Sequence, residues 1–72
     1  MTKIHYPVLY ITRKEQGHTQ RFVAGKLGIS PQRYSLKELG GAYFTLPEAT
    51  KLSEMYGIPI EQLFSTEFPV SQ

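Results

Sequence analysis

Side chains able to bind anions are concentrated in the first half of the chain. Residues 1–37 contain seven Lys and Arg residues and one Glu, a net charge of +6, whereas residues 38–72 contain one Lys and five Glu, a net charge of −4. A basic surface of this kind attracts phosphate groups or an acidic partner, although a merely solvated basic surface would have the same composition. The chemistry that the residue types favour is therefore anion binding by the first half.

Residue types that catalysis requires are scarce. The 72 residues include no Asp and no Cys, and neither His5 nor His18 has an acidic residue at a metal-ligand spacing. Ser30 and Thr45 stand where helix caps are needed, so we interpret them as caps and not as nucleophiles. We expect no enzymatic activity, no metal site and no cofactor, and we expect His18 to be a packed core histidine.

Length and composition limit the class of protein. A chain of 72 residues forms one small domain. No apolar run approaches the roughly 20 residues of a membrane-spanning helix, and residues 1–10 lack the apolar stretch of a secretory signal. The absence of Cys fits a reducing compartment. These features predict a cytoplasmic protein that does not bind a membrane.

Gly and Pro residues separate short segments whose apolar residues recur at helical spacing. The fourth segment, for example, places Leu46, Ala49, Leu52 and Tyr56 on one face. The pattern predicts an all-α domain over residues 1–64, followed by a short C-terminal tail over residues 65–72. The five predicted helices cover residues 7–16, 19–27, 31–39 and 45–56 and a last short stretch around residues 60–64.

Residues 19–38 have the organisation of two helices joined by a tight turn. Thr19 caps the first helix, Gly28 permits the turn, and Ser30 caps the second helix. This is the unit of helix-turn-helix proteins, whose second helix enters the major groove of DNA. From about residue 9 to residue 64 the chain resembles the Cro/CI-type (XRE) helix-turn-helix family, which implies a compact, lambda-repressor-like fold of five helices. The residues that carry the resemblance are Arg13, Gly17, Thr19, Gln20, Ala24, Leu27, Gly28, Ile29, Ser30, Glu38, Gly40, Leu46, Leu52, Gly57, Ile58, Leu63 and Phe64.

The resemblance implies roles for individual residues. Arg13 and Glu38 are expected to form a structural ion pair between the first helix and the recognition helix. Gln20 is expected to contact a phosphate, because a side-chain amide and free backbone N–H groups at a helix start suit an anionic oxygen; a solvated first-turn residue is the alternative.

Bases are read in this family from positions that correspond to Pro31, Gln32 and Leu36. Gln32 suits a bidentate contact with adenine and Leu36 a contact with a thymine methyl group, whereas Pro31 has no donor. Arg33 is expected to contact a phosphate or a guanine.

The sequence also departs from the family. Lys37 occupies a position that is usually a core aliphatic, so it must extend along its stem or rotate the helix to escape burial. The loop over residues 40–44 contains Tyr43 and Phe44 and no charge, which predicts weak DNA binding. These two residues either fold inward or join a face that resembles a protein-binding surface. The other residues expected on that face are Arg21, Phe22, Arg33, Leu36 and Lys37.

Two mechanisms fit these observations. In both, the chain is a small regulator in a bacterial or phage genetic switch. In the first mechanism it binds another regulator, such as the DNA-binding domain of a repressor, and modulates or blocks that regulator, as antirepressors and modulators of repression do. In the second, it is a Cro-like repressor that reads operator DNA with the helix over residues 31–39. A monomer, a heterodimer and a homodimer are all compatible with the sequence.

Overall fold

A computed structural model describes residues 4–68. Residues 1–3 and 69–72, which include Lys3 and half of the predicted tail, lie outside the described residues. The domain boundary at residue 64 stays a prediction. Between residues 4 and 68 there are five helices and no strand, which confirms the all-α prediction. The helices are α1 (Pro7–Glu15), α2 (Gln20–Leu27), α3 (Pro31–Glu38), α4 (Leu46–Tyr56) and α5 (Ile60–Leu63). None of them is long and apolar enough to cross a lipid bilayer.

Side-chain caps begin the three central helices where the sequence predicts them. The Thr19 hydroxyl accepts a hydrogen bond from the Phe22 N–H at 3.0 Å, and the Ser30 hydroxyl accepts one from the Arg33 N–H at 3.1 Å. At the start of α4, Thr45 and Glu48 form a reciprocal capping box. These bonds satisfy N–H groups that have no partner within a helix.

The turn between α2 and α3 depends on a glycine. Gly28 has a φ of 72°, the left-handed conformation in which a residue with a Cβ atom is strained. The following N–H, of Ile29, then bonds back to the Ala24 carbonyl at 3.0 Å. This end of α2 turns the chain sharply and allows α3 to pack directly against α2.

The core draws on every helix. Tyr34, on the inner face of α3, is the largest of the completely buried side chains. Because α3 contributes this ring to the core, its orientation relative to the other helices is set by packing as well as by the turn that precedes it. The completely buried apolar cluster consists of Leu9, Val23, Ala24, Tyr34, Leu52 and Leu63.

Leu46 and His18 differ from the sequence predictions, and Phe44 takes the inward one of its two predicted positions, which removes it from the candidate binding face. Leu46 is 73% exposed, because the buried face of α4 begins one turn later at Ala49. Phe44 folds inward, where its ring centroid lies 5.1 Å from that of Phe64, since a small core gains more from burying an aromatic ring than from exposing it. His18 is only half-buried, and its Nδ1 lies 2.9 Å from the Tyr56 hydroxyl oxygen.

Candidate nucleic-acid and partner interface

A buried ion pair joins the first helix to the recognition helix. Arg13 Nε donates to Glu38 Oε2 at 2.8 Å, Arg13 Nη2 donates to Glu38 Oε1 at 3.1 Å, and both residues are 5% exposed. The third guanidinium nitrogen, Nη1, donates to the His18 carbonyl oxygen at 2.9 Å. One arginine therefore positions α3 relative to both α1 and the turn that precedes α2.

The carboxylate of Glu38 accepts two further hydrogen bonds. Tyr34 donates its hydroxyl to Oε2 at 2.8 Å, and Gln20 Nε2 donates to Oε1 at 2.8 Å. Burial raises the pKa of Tyr34, and the adjacent Glu38 charge raises it further, so the hydroxyl stays protonated and donates. Although burial opposes the charged form of Arg13, the hydrogen bond and charge of Glu38 raise the pKa of that guanidinium.

Gln20, the predicted phosphate contact, is part of this network. Its side chain is half-buried and bonded to Glu38, so it is not the freely solvated first-turn residue of the alternative interpretation. A glutamine amide has two N–H donors. One of these N–H groups donates to Glu38, so a contact with phosphate requires the other one. The contact between Gln20 and phosphate stays a prediction.

The position of Lys37 contradicts the sequence prediction. It neither extends to solvent nor joins the candidate binding face: it is 5% exposed, and its Nζ lies 2.6 Å from Glu48 Oε1. The capping box already holds this carboxylate near α3, because the same oxygen accepts the Thr45 N–H at 2.9 Å. Burial alone would raise the pKa of Glu48, but the hydrogen bonds from Lys37 and Thr45 lower it below its ordinary value. A buried lysine is tolerated because an ionised partner is fixed within reach.

The outward face of α3 changes in character along the helix. Its first turn exposes the polar side chains of Gln32 and Arg33, with Pro31 partly exposed beside them. One turn later Leu36 is 51% exposed, and its side chain lies against the backbone of Gly41, where a Cβ atom would approach Leu36 Cδ1 to 2.5 Å. The face therefore offers hydrogen-bonding groups first and an apolar surface second.

The first turn of α2 exposes a cation and an aromatic ring. Arg21 is exposed, and Phe22 is 44% exposed, with its ring centroid 4.4 Å from that of His18. The Nζ of Lys26 lies 5.2 Å from the centre of the Phe22 ring. Phe22 thus stands on the surface where the sequence analysis expects it, supported from one side by His18.

Two leucines are exposed that the sequence did not identify as surface residues. Leu39 is 55% exposed at the end of α3, and Leu46 is 73% exposed at the start of α4, with Tyr43 91% exposed in the loop between them. The sequence feature that could have indicated an exposed apolar surface is the segment over residues 39–47, which contains no charged residue but several large apolar ones. Of the aromatic pair in this loop, the structure places Tyr43 outside and Phe44 inside.

Among residues 4–68 there is no group of acidic residues or histidines that could hold a metal ion.

Comparison with protein families finds that the helix-turn-helix model of the Cro/CI type matches residues 9–63, which covers all of α2, the turn and α3. No curated protein and no solved structure matches the chain significantly. Members of the matched family are DNA-binding regulators and are generally not enzymes. The chain therefore belongs to the Cro/CI-type (XRE) helix-turn-helix family of DNA-binding transcriptional regulators.

Proposed function

We propose that this chain regulates transcription by binding another regulator, such as the DNA-binding domain of a repressor, through the outward face of its recognition helix. The observation that carries the proposal is the exposed Leu36 in the second turn of α3, one turn after Gln32 and Arg33. Apolar anchors surrounded by arginine and amide side chains are typical of protein interfaces. The bound regulator would lose access to its operator, as expected in a bacterial or phage genetic switch.

The distribution of charge supports this mechanism. Lys37 and Arg13 are buried against Glu48 and Glu38, so neither offers its charge to a phosphate. The loop over residues 40–44 has no charged residue. Because cationic contacts with phosphates supply much of the affinity for DNA, we expect this domain to bind DNA weakly on its own. The residues proposed to contact the partner are Gln20, Arg21, Phe22, Pro31, Gln32, Arg33, Leu36 and Tyr43.

Direct reading of operator DNA is the second candidate, and a specific feature favours it. The two-helix unit is intact, and Gln32 and Arg33 are exposed at the start of α3, where recognition helices contact base edges. Gln32 suits adenine, and Leu36 suits a thymine methyl group. In this mechanism the chain acts as a Cro-like repressor.

Substitutions on α3 separate the two candidates. Leu36→Asp is expected to abolish regulation of a reporter gene if the partner is a protein, while Gln32→Ala is expected to have a small effect. Thr50→Asp is the matched control, because it adds the same charge at an exposed position of α4. Circular dichroism verifies that each variant is folded.

The proposal has a defined point of failure. If Leu36→Asp and Phe22→Asp both leave regulation intact, the recognition-helix face does not bind a protein partner. If Gln32→Ala alone abolishes binding to the operator, the Cro-like mechanism is correct.

A further inference from the structure

The exposed ring of Phe22 has a close neighbour before it and another after it in the chain. The ring is 44% exposed, and its centroid lies 4.4 Å from that of His18. Lys26 follows one turn later on the same face of α2, and its Nζ lies 5.2 Å from the centre of the Phe22 ring. An aromatic ring attracts both a neighbouring ring and a cation. These two neighbours therefore restrict the rotamers of the Phe22 side chain.

His18, the aromatic neighbour of Phe22, is itself fixed by two other parts of the chain. Its carbonyl oxygen accepts a hydrogen bond from Arg13 Nη1 at 2.9 Å, and its backbone N–H donates to the Arg13 carbonyl oxygen at 3.1 Å. Its imidazole Nδ1 lies 2.9 Å from the Tyr56 hydroxyl oxygen. Both the main chain and the ring of His18 are therefore held in place in the free chain.

Tyr56 holds the imidazole from the end of α4. It is the last residue of that helix, and its half-buried side chain packs against the apolar core. Burial raises the pKa of the Tyr56 hydroxyl, so the hydroxyl stays protonated at neutral pH. A protonated phenol both donates and accepts, so it can bond to either tautomer of the imidazole. The hydrogen bond with His18 connects the end of α4 to the turn that precedes α2.

We propose, on the basis of the proposed function in which Phe22 contacts the partner, that His18 and Tyr56 are positioning residues for this ring. They hold Phe22 in the conformation in which it binds the other regulator. Aromatic anchors carry a large share of the binding energy in protein interfaces. A side chain that is ordered before association avoids the entropy cost of ordering it on binding. Neither His18 nor Tyr56 needs to touch the partner, because both act through Phe22.

A purely structural role of His18 has a different signature. If His18 only stabilised the fold, its replacement would lower the free energy of unfolding and leave the affinity of the folded chain unchanged. Positioning through Phe22 makes the effects of the two residues on affinity non-additive, because the support has no effect once the ring is removed. Affinity and side-chain conformation therefore separate the two roles.

Nuclear magnetic resonance of the free chain tests the conformation of Phe22. Three-bond couplings about χ1 of Phe22 are expected to indicate one staggered rotamer in the wild type and an average over rotamers in His18→Ala. Tyr56→Phe, which removes only the hydroxyl, is expected to shift the couplings in the same direction by a smaller amount. Tyr10→Phe is the matched control, because it removes the hydroxyl of another half-buried tyrosine, on α1, and is expected to leave the couplings unchanged. Averaged couplings in the wild type, or unchanged couplings in His18→Ala, overturn the inference.

Isothermal titration calorimetry with the DNA-binding domain of the regulator encoded beside this chain tests the effect on binding. His18→Ala is expected to weaken binding about two- to tenfold, which corresponds to the cost of ordering one side chain. In a chain that carries Phe22→Ala, the same substitution is expected to change the affinity by less than about twofold. Circular dichroism verifies that each variant is folded. If His18→Ala does not fold, Tyr56→Phe takes its place in the cycle, with a smaller weakening expected.

The failure of the positioning role differs from the failure of the proposed function. Equal weakening by His18→Ala with and without the Phe22 ring overturns the positioning role. Unchanged affinity in His18→Ala, when Phe22→Ala weakens binding, also overturns it, and both results leave the proposed function intact. If neither Phe22→Ala nor Leu36→Asp weakens binding, the recognition-helix face does not bind this domain, and both proposals fail.

Discussion

Replacing Glu38 by Gln tests the network that positions the recognition helix. The Glu38 carboxylate accepts two hydrogen bonds from Arg13, one from Gln20 and one from Tyr34, all between 2.8 and 3.1 Å. A glutamine has one acceptor oxygen in place of two, and its NH₂ group faces donors. The substitution therefore leaves the 5% exposed Arg13 without a compensating charge while changing the side-chain volume very little.

The expected loss of stability in Glu38→Gln follows from the burial of Arg13. Removing one partner of a buried ion pair costs about 3–5 kcal/mol, because the remaining charge is desolvated and uncompensated. A domain of this size has a free energy of unfolding of about 4–11 kcal/mol, at roughly 0.05–0.15 kcal/mol per residue. We therefore expect Glu38→Gln to remove about a quarter or more of the stability and to lower Tm by at least about 12 °C, at about 4 °C or more per kcal/mol.

Urea unfolding followed by far-UV circular dichroism measures this loss, with the slope of the transition expected to stay unchanged. Tyr34→Phe is the control, since it removes one hydrogen bond to the Glu38 carboxylate but leaves the Arg13–Glu38 ion pair in place, and it is expected to cost about 1.5–3 kcal/mol, less than Glu38→Gln. A loss below about 1 kcal/mol for Glu38→Gln would refute the argument that this carboxylate compensates a buried arginine.

Three further outcomes follow from the structure. Glu48→Gln is expected to cost more than Lys37→Met, because the lysine it leaves unpaired is the more deeply buried partner, and the double variant is expected to regain stability in a urea double-mutant cycle. The pKa of Glu48 is lower in the folded chain than its ordinary value of 4.5. The ionised Glu48 side chain therefore contributes to the free energy of unfolding above pH 4.5, and this contribution is lost as the pH falls through the lower pKa of the folded state. Urea midpoints measured from neutral pH to about pH 3 are expected to fall more steeply for the wild type than for Glu48→Gln. Gly28→Ala is expected to cost about 1 kcal/mol in urea unfolding from backbone strain, because its φ is 72° and the added methyl group meets no atom of another part of the chain within 4 Å.

Local features of the fold were predictable because their signals are local. Thr19 and Ser30 cap helices through residues only three positions away, and the Thr45–Glu48 capping box has the same short range. The family resemblance added the pairing of Arg13 with Glu38, which are 25 positions apart and could not be matched from spacing alone.

The direction of side chains near the recognition helix was not predictable in the same way. Lys37 is buried because Glu48, on another helix, is held within 2.6 Å of its Nζ, and no local pattern shows that contact. Phe44 folds inward and Tyr43 outward although they are neighbours in an uncharged loop, because only Phe44 meets the rings of Tyr34 and Phe64. Tertiary contacts decided these positions, and the same contacts decide which surface α3 presents.

The proposed function requires that the recognition helix of this chain binds a protein. The most direct test titrates the purified chain against DNA from its own regulatory region, at low and at physiological salt, with and without the DNA-binding domain of the regulator encoded beside it. We predict weak binding by the chain alone and loss of the regulator's own DNA binding when the chain is added. Specific binding by the chain alone, with a steep dependence on salt and no effect on the regulator, would contradict the claim and would place Gln32 and Arg33 at base edges.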